Sequence, residues 1–194
     1  RLPLAADDFH REWLGLTHGF IQSHDCGLSE PNLLWFPVAS MAAPSKTLLF
    51  KRVHFATRLP VDCVYSPSHF WAREMEGGVW RIGLTKFATR MLGDMVDHGF
   101  EVKAGASIAP GQILGWVEGF KAISDVYGFC AGEFVGTNPE LQTNITLIHK
   151  KPYAGGWLYE ARGALDDKCV DAEGYAAILN QTIDKMLEQQ KTQE

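Results

Sequence analysis

The chain has 194 residues, 46% of them hydrophobic, which is enough for one domain with a buried core and some additional chain. Its 18 Lys and Arg against 23 Asp and Glu give a formal net charge of −5, which argues against a nucleic-acid-binding protein with a basic face. No apolar run is long enough to cross a membrane, and no secretory signal is recognisable. We therefore expect a cytoplasmic protein with no membrane or nucleic-acid partner, which meets its partners through complementary, acidic patches.

The spacing of the cysteines does not indicate a disulfide framework or a metal site. Cys26, Cys63, Cys130 and Cys169 lie far apart, with no CxxC pair and no histidine at the spacing of a zinc site. A disulfide framework or a metal site would usually show closer pairing. We interpret the cysteines as free thiols in a reducing compartment, and we expect no metal site.

Residues 1–60 lack a regular apolar period, and we interpret them as an N-terminal extension without assigned structure. Several prolines interrupt any regular element in this region. The segment 41–45, Met-Ala-Ala-Pro-Ser, resembles a translation start, which favours residues 1–40 being an artefact of an upstream start assignment. Trp13 and Trp35 argue against that interpretation, because disordered tails seldom carry such aromatic residues.

Residues 61–190 form the predicted folded domain, in which short apolar runs alternate with glycines. Thr85 is predicted to cap a brief helix that ends at Gly93, where a helix C-terminus favours a residue tolerant of positive φ. The close spacing of the remaining runs predicts short strands in a compact sandwich or barrel. These runs are 79–82, 101–102, 112–117, 125–127, 133–135 and 157–161.

The last predicted element is a C-terminal helix. Asp171 is placed to cap it, and apolar residues follow at helical spacing from Tyr175 to Leu187. We expect this stripe to pack on the barrel.

One stretch stands out as a candidate site. The sequence contains no nucleophile elbow, zinc-protease motif or phosphate loop, so it does not indicate a self-contained catalytic site. In residues 115–127, two strand-like runs flank a short link with Lys121 near its middle. A hairpin tip holds a side chain away from the domain body, which suits a lysine used as a tether. A turn lysine is more often a solvated charge, so both interpretations stay open on this pattern alone.

Several blocks of the sequence, in order, resemble the H protein of the glycine cleavage system. The resemblance covers roughly residues 61–186, about two-thirds of the chain. The blocks are 65–71 (Tyr-Ser-Pro-Ser-His-Phe-Trp), 82–88 (Ile-Gly-Leu-Thr-Lys-Phe-Ala), 92–94 (Leu-Gly-Asp), 117–122 (Val-Glu-Gly-Phe-Lys-Ala), 125–127 (Asp-Val-Tyr), 132–133, 138–139, 152–153, 156–158 and 171–175.

The chain departs from the family pattern close to the lysine. The usual Ser two residues before the lysine is Gly119, and the usual Ser-Pro after the tyrosine is Gly128-Phe129. The acidic Leu-Pro-x-x-Gly segment is shortened to residues 97–100. These changes put the set of partners in question more than the fold.

The resemblance implies a mainly β fold, the barrel-sandwich hybrid of lipoyl domains, with a short internal helix and a C-terminal helix. It implies a non-catalytic carrier with lipoate joined to Lys121 as an amide. Such a carrier takes the aminomethyl group of glycine from a pyridoxal-phosphate-dependent decarboxylase to a tetrahydrofolate-dependent aminomethyltransferase. Dihydrolipoamide dehydrogenase reoxidises it, and lipoylating enzymes load it. Tethering raises the effective concentration of the carried group at each partner.

Three further residues receive roles from the resemblance. Glu118 would be recognised by the lipoylating enzyme, and Asp125 would support the hairpin. His69 would either contact the loaded arm or serve as a structural residue beside Phe70 and Trp71, and both interpretations stay open.

The departures from the family pattern near Lys121 motivate two alternative functions. One is an H-like lipoyl carrier that serves another system, such as sulfur oxidation or lipoyl relay between enzymes. The other is a barrel-sandwich module that has lost the modification and acts only as a binding or structural domain. The presence of both Lys121 and Glu118 argues against that loss.

Overall fold

The computed structural model describes residues 46–193, and the hypotheses about the start segment and the rest of residues 1–45 lie outside that range. The described part is mainly β, with a short internal helix and a C-terminal helix, as predicted. Its strands are β1 Thr47–Arg52, β2 Phe55–Pro60, β3 Val64–Tyr65, β4 Phe70–Met75, β5 Val79–Leu84, β6 Met95–Phe100, β7 Ser107–Ile108, β8 Ile113–Gly119, β9 Ile123–Tyr127, β10 Cys130–Thr137 and β11 Trp157–Leu165. Its α-helices are α1 Lys86–Leu92, α2 Leu147–Lys150 and α3 Ala172–Gln193.

Two antiparallel sheets enclose the main core. One has the strand order β3-β4-β5-β11-β10-β7, and the other has the order β6-β8-β9. The inner side chains of both sheets are fully or almost fully buried against one another, which is the alternation expected of a sandwich. Core residues contributed by the two sheets include Phe70, Ile82, Leu114, Val117, Val126, Phe134 and Leu158.

Helix α1 follows the sequence prediction. The Thr85 side chain accepts a hydrogen bond from the Ala88 N–H, and Gly93 has a φ of +84° and donates its N–H to the Thr89 carbonyl.

The prediction of a strand at residues 101–102 is wrong. The strand in this region is β6, which ends at Phe100. Residues 97–100, identified from the sequence only as a shortened family motif, belong to this strand.

A β-hairpin within residues 1–60 was missed. Strands β1 and β2 pair from Thr47↔Pro60 to Arg52↔Phe55, so Val53 and His54 form a two-residue turn. Val53 has a φ of +49°. Two-residue hairpins usually carry Asn-Gly or Gly at the positions that need positive φ, so this turn has no recognisable signal. Residues 47–60 therefore belong to the folded unit instead of the unassigned extension.

The hairpin, α3 and α1 share a second core. Phe55, Thr57 and Leu59 of β2 are buried, and Phe55 and Leu59 share this core with the apolar stripe of α3. The stripe also packs with Tyr65 and Trp71 of the six-stranded sheet, so it lies on the barrel as expected, with the hairpin as an additional contact. Arg52 also donates to Asn180 at 2.9 Å and pairs with Asp184, both on α3. The members of this core include Phe50, Phe55, Leu59, Trp71, Phe87, Tyr175, Leu179 and Ile183.

A short polar network joins α3 to α1 inside this second core. The Tyr175 hydroxyl lies 2.9 Å from His69 Nδ1 and 2.9 Å from Thr85 Oγ1, the cap of α1. The His69 ring also packs against Phe87, with ring centroids 4.7 Å apart. Burial lowers the pKa of His69 to about 4, so its imidazole is neutral at physiological pH.

Among the helices of residues 46–193, none is long and apolar enough to cross a membrane.

The second core predicts a strong dependence of stability on Phe55. This side chain is buried and contacts Phe50, Phe87 and the Arg90 guanidinium. We expect Phe55→Ala to lower the free energy of unfolding by about 3 kcal/mol, measured by urea denaturation. The matched control is Leu49→Ala on the same hairpin, where the side chain is 63% exposed and the change is expected to stay within about 0.5 kcal/mol. Equal effects of the two variants would contradict this packing.

The His69 network predicts a pH dependence of stability. The folded-state pKa of His69 is about 4, below the ordinary 6.5, so between these values the unfolded chain binds more protons than the folded one. Stability is therefore lost as the pH falls from 6.5 towards 4, by up to about 1 kcal/mol per pH unit.

We expect His69→Asn to remove this part of the pH dependence, since asparagine tolerates the φ of +66° found at this position. Urea unfolding at several pH values between 7 and about 4 measures it. The control is His54→Asn in the exposed hairpin turn, which should keep the wild-type profile. Identical profiles for the wild type and His69→Asn would contradict the assignment.

Candidate functional site

Lys121 lies at the tip of the hairpin that joins β8 to β9. Glu118 pairs with Ile123, and the Gly119 N–H donates to the Ala122 carbonyl at 2.9 Å, which closes the turn. The side chains of Phe120, Lys121 and Ala122 are exposed. The turn therefore projects the lysine away from the sheet, in the position that the sequence pattern indicated.

The backbone of the tip is held by the end of α1. The Phe120 N–H donates to the Asp94 carbonyl at 2.8 Å, and the Lys121 N–H donates to the Leu92 carbonyl at 2.9 Å. We call this pair of bonds the tip clamp. Leu92 and Asp94 flank Gly93, at which an added Cβ would lie 3.2 Å from Lys121 Cγ. The clamp thus fixes the Lys121 backbone while its side chain keeps room to move.

Two departures from the family pattern coincide with close backbone approaches. A Cβ at Gly119 would lie 2.3 Å from the Leu92 carbonyl oxygen, and one at Gly128 would lie 2.2 Å from the Ala109 carbonyl oxygen. Real Cβ atoms do not approach oxygen so closely, so neither position admits a serine without a shift of the backbone. In this chain, the glycine at 119 allows α1 and the hairpin tip to meet.

Glu118 and Asp125 lie on the side of the β6-β8-β9 sheet that faces away from the core. Val117, between Trp116 and Glu118, is fully buried, so its two neighbours point outward. Asp125 accepts a hydrogen bond from the Tyr127 hydroxyl at 3.1 Å, which ties it to the last residue of β9. The structure therefore brings Glu118 and Asp125 onto one surface beside the hairpin tip.

His69 lies elsewhere, in the second core. Its hydrogen bond to Tyr175 and its packing on Phe87 are the contacts of a structural residue. His69 is connected to the β8–β9 hairpin indirectly, through α1. It packs against Phe87 in the first turn of α1, and Leu92 at the end of α1 accepts the hydrogen bond from Lys121. A contact between His69 and a loaded arm stays an untested prediction.

The amine of Lys121 lies free at the hairpin tip. Within residues 46–193, its amine has no hydrogen bond or ion pair, so it is free to form an amide. No group of three or more His, Cys, Asp or Glu side chains in the described chain is arranged to hold a metal ion. A free amine on a fixed turn fits covalent attachment of an acyl group such as lipoate.

Sequence reasoning missed the residues that surround the lysine. The Leu92 and Asp94 carbonyls are backbone groups with no side-chain signature. Asp97 was seen only as part of a shortened motif, although the register places it directly opposite Glu118. Phe120 is 85% exposed, and the signal that could have identified it is an aromatic residue between Glu118 and Lys121.

Known proteins with similar sequences are glycine cleavage H proteins. A family model described as "Glycine cleavage H-protein" matches residues 63–182, more than half of the chain. The glycine cleavage system H protein of Bordetella pertussis is 42% identical over 123 residues, which are 62% of this chain and 97% of that protein. The one from Corynebacterium jeikeium is 37% identical over 124 residues, also 62% of this chain and 97% of that protein.

A solved structure of a glycine cleavage H protein also resembles this chain. The crystal structure of the glycine cleavage system H protein from Mycobacterium marinum matches with a TM-score of 0.56 and 29% sequence identity. The match covers 61% of this chain and 97% of that one. The barrel-sandwich hybrid fold expected from the sequence is thereby confirmed.

The hairpin β1–β2 precedes the residues that the family model matches, and the end of α3 follows them. From residue 63 to residue 182, the chain belongs to the glycine cleavage H-protein family.

Proposed function

We propose that Lys121 carries a lipoyl group and that the chain is the lipoyl carrier of a glycine cleavage system. It would take the aminomethyl group of glycine from a pyridoxal-phosphate-dependent decarboxylase to a tetrahydrofolate-dependent aminomethyltransferase. The observation that carries this proposal is the exposed, unpartnered Lys121 on a clamped hairpin tip, within the part of the chain that belongs to the family.

The chain contributes position rather than catalysis. Lipoate, when bound to Lys121 as an amide, supplies a dithiolane for redox and group-transfer chemistry. The tip clamp holds the Lys121 backbone, so the motion of the carried group comes from the lysine side chain and the arm attached to it. A fixed anchor keeps the carried group near each partner's active site and raises its effective concentration there.

Neighbouring side chains support loading and presentation. We infer that Glu118 is recognised by the lipoylating enzyme, because its carboxylate stands on a strand at a fixed offset from Lys121 and has no partner in the described chain. Asp125 supports the hairpin through Tyr127. Dihydrolipoamide dehydrogenase is the inferred partner for reoxidation, and a cytoplasmic location stays a prediction from the sequence.

Intact-mass measurement after expression in lipoate-replete cells tests the attachment. We expect the wild-type chain to gain the mass of one lipoyl group, and Lys121→Arg to lose that gain because arginine cannot form the amide. Lys103→Arg, a change at another exposed lysine, is the matched control and should be modified like the wild type. An unmodified wild type, or a modified Lys121→Arg variant, would contradict the proposal.

A reconstituted assay tests the system that the carrier serves. With a glycine decarboxylase present, the lipoylated chain is expected to support glycine-dependent exchange of carbon dioxide, and the unmodified Lys121→Arg variant is not. A lipoylated chain that fails in this assay would favour a carrier role in another system, such as sulfur oxidation or lipoyl relay.

A further inference from the structure

The tip clamp has a further support in α2. One of its two acceptors, the Asp94 carbonyl, belongs to the same trans peptide group as the Met95 N–H. That N–H donates to His149 Nδ1 at 3.2 Å, while the carbonyl on the opposite side of the peptide accepts from the Phe120 N–H at 2.8 Å. A single peptide plane therefore joins the His149 imidazole to the hairpin tip.

The imidazole acts on the tip through this peptide group. A hydrogen bond to a peptide N–H makes the carbonyl of the same group a stronger acceptor, because linked hydrogen bonds polarise one another. It also fixes the rotation of the peptide plane, which sets the direction of the Asp94 carbonyl. Met95 pairs with Gly119 in the register of β6 and β8, so His149 holds the start of β6 beside the residue at which the tip begins.

His149 is itself held in place from two directions. Its neighbour on α2, Ile148, is fully buried in the main core, and the His149 side chain is only 16% exposed. The Lys86 ammonium, at the start of α1, donates to the His149 carbonyl at 2.8 Å. A ring that is fixed in this way can impose its position on the peptide group to which it is bonded.

The contact with Met95 requires one protonation state of the ring. Nδ1 accepts from an N–H only when it carries no proton, so the proton of the neutral imidazole lies on Nε2. Among residues 46–193, the charged groups in contact with His149 are the Asp94 carboxylate, whose Oδ1 is 3.6 Å from Nε2, and the Lys86 ammonium at the carbonyl. A second proton, on Nδ1, would set two donors against each other and break the bond to Met95.

We propose that His149 is a positioning residue for the lipoyl anchor, which holds the tip clamp through the Asp94–Met95 peptide group while its imidazole is neutral. Its effect is on how Lys121 is presented to the enzyme that loads it. An enzyme that binds an ordered tip avoids the entropy cost of ordering it. This proposal rests on the proposed lipoyl-carrier function, and it adds the side chain that fixes the anchor.

Two substitutions separate the acceptor at Nδ1 from the rest of the ring. His149→Asn places an amide oxygen close to the position of Nδ1, so it can accept from the Met95 N–H, and it has no titratable group. His149→Gln places its amide near the position of Nε2 and leaves no acceptor at the position of Nδ1. The matched control is Lys150→Gln, a change at the exposed next residue of the same helix.

Amide hydrogen exchange of Phe120, followed by NMR, measures the clamp. The amide of Val117, in the fully buried middle of β8, reports general unfolding in the same sample. Each rate is divided by that of the same residue in a synthetic peptide of residues 115–127 at the same pH, which removes the intrinsic effect of pH on exchange.

The three chains are expected to differ in the exchange of Phe120 relative to Val117. At about pH 7.5, this exchange should be about tenfold faster in His149→Gln than in the wild type, and within about twofold of the wild type in His149→Asn. A fall to about pH 5.5 crosses the range in which imidazoles ordinarily gain a proton. It should accelerate Phe120 relative to Val117 in the wild type and leave His149→Asn unchanged.

The kinetics of lipoyl transfer to Lys121 by a lipoate–protein ligase measure presentation. A loosened tip must be ordered when the enzyme binds it, so we expect His149→Gln to raise the KM for the carrier about tenfold and to leave kcat within about twofold. His149→Asn and Lys150→Gln are expected to match the wild type in both constants.

Three results would overturn the positioning role of His149. The first is a His149→Gln variant with wild-type exchange of Phe120 and wild-type KM, and the second is a His149→Asn variant as defective as His149→Gln. The third is equal acceleration of Phe120 and Val117 in His149→Gln, which would leave His149 a structural role only. A wild type that takes up no lipoyl group contradicts the proposed function itself, whereas exchange in the unmodified chain still decides whether His149 holds the tip.

Discussion

The tip clamp is the constraint on which the rest of the site depends. Its two bonds use amide groups that a free hairpin turn leaves to solvent, and they attach the turn to the end of α1. The position of α1 is fixed in turn by the Thr85 cap, by Tyr175 and by the contact between Phe87 and Phe55. A continuous set of packed and hydrogen-bonded groups therefore runs from the N-terminal hairpin to Lys121.

The sequence predicted those parts of the fold that have local signatures. Thr85 and Gly93 mark the ends of α1 by cap chemistry, and the spacing of α3 identifies its buried stripe. The turn of the N-terminal hairpin, Val53-His54, has neither glycine nor asparagine, although Val53 has a positive φ, so the turn carries no local sequence signature. The hairpin is instead part of the second core, with Phe50, Phe55 and Leu59 buried beside residues of α3. Such an element is visible only in three dimensions.

The sequence predicted the position of the candidate site but not the contacts that hold it. The position of Lys121 on a hairpin follows from the strand pattern, and its role follows from the family resemblance. The tip clamp was not predictable, because it is made by backbone groups of Leu92 and Asp94. The opposition of Asp97 and Glu118 depends on a register shift in β6 between Met95 and Asp97, which no sequence pattern signals. On the sequence alone, Gly119 is a departure from the family pattern that puts the set of partners in question. In the structure, a Cβ at this position would lie 2.3 Å from the Leu92 carbonyl oxygen, so a glycine allows the close approach of α1.

The central claim is that Lys121 stands on a fixed turn, and amide hydrogen exchange of Phe120 and Lys121, followed by NMR, tests it most directly. We predict that both amides exchange at least about tenfold more slowly in the intact chain than in a synthetic peptide of residues 115–127. Gly119→Ala should abolish that protection, while Gly136→Ala, where a Cβ has open space, should preserve it. Exchange of both amides at the peptide's rate in the wild-type chain would contradict the account.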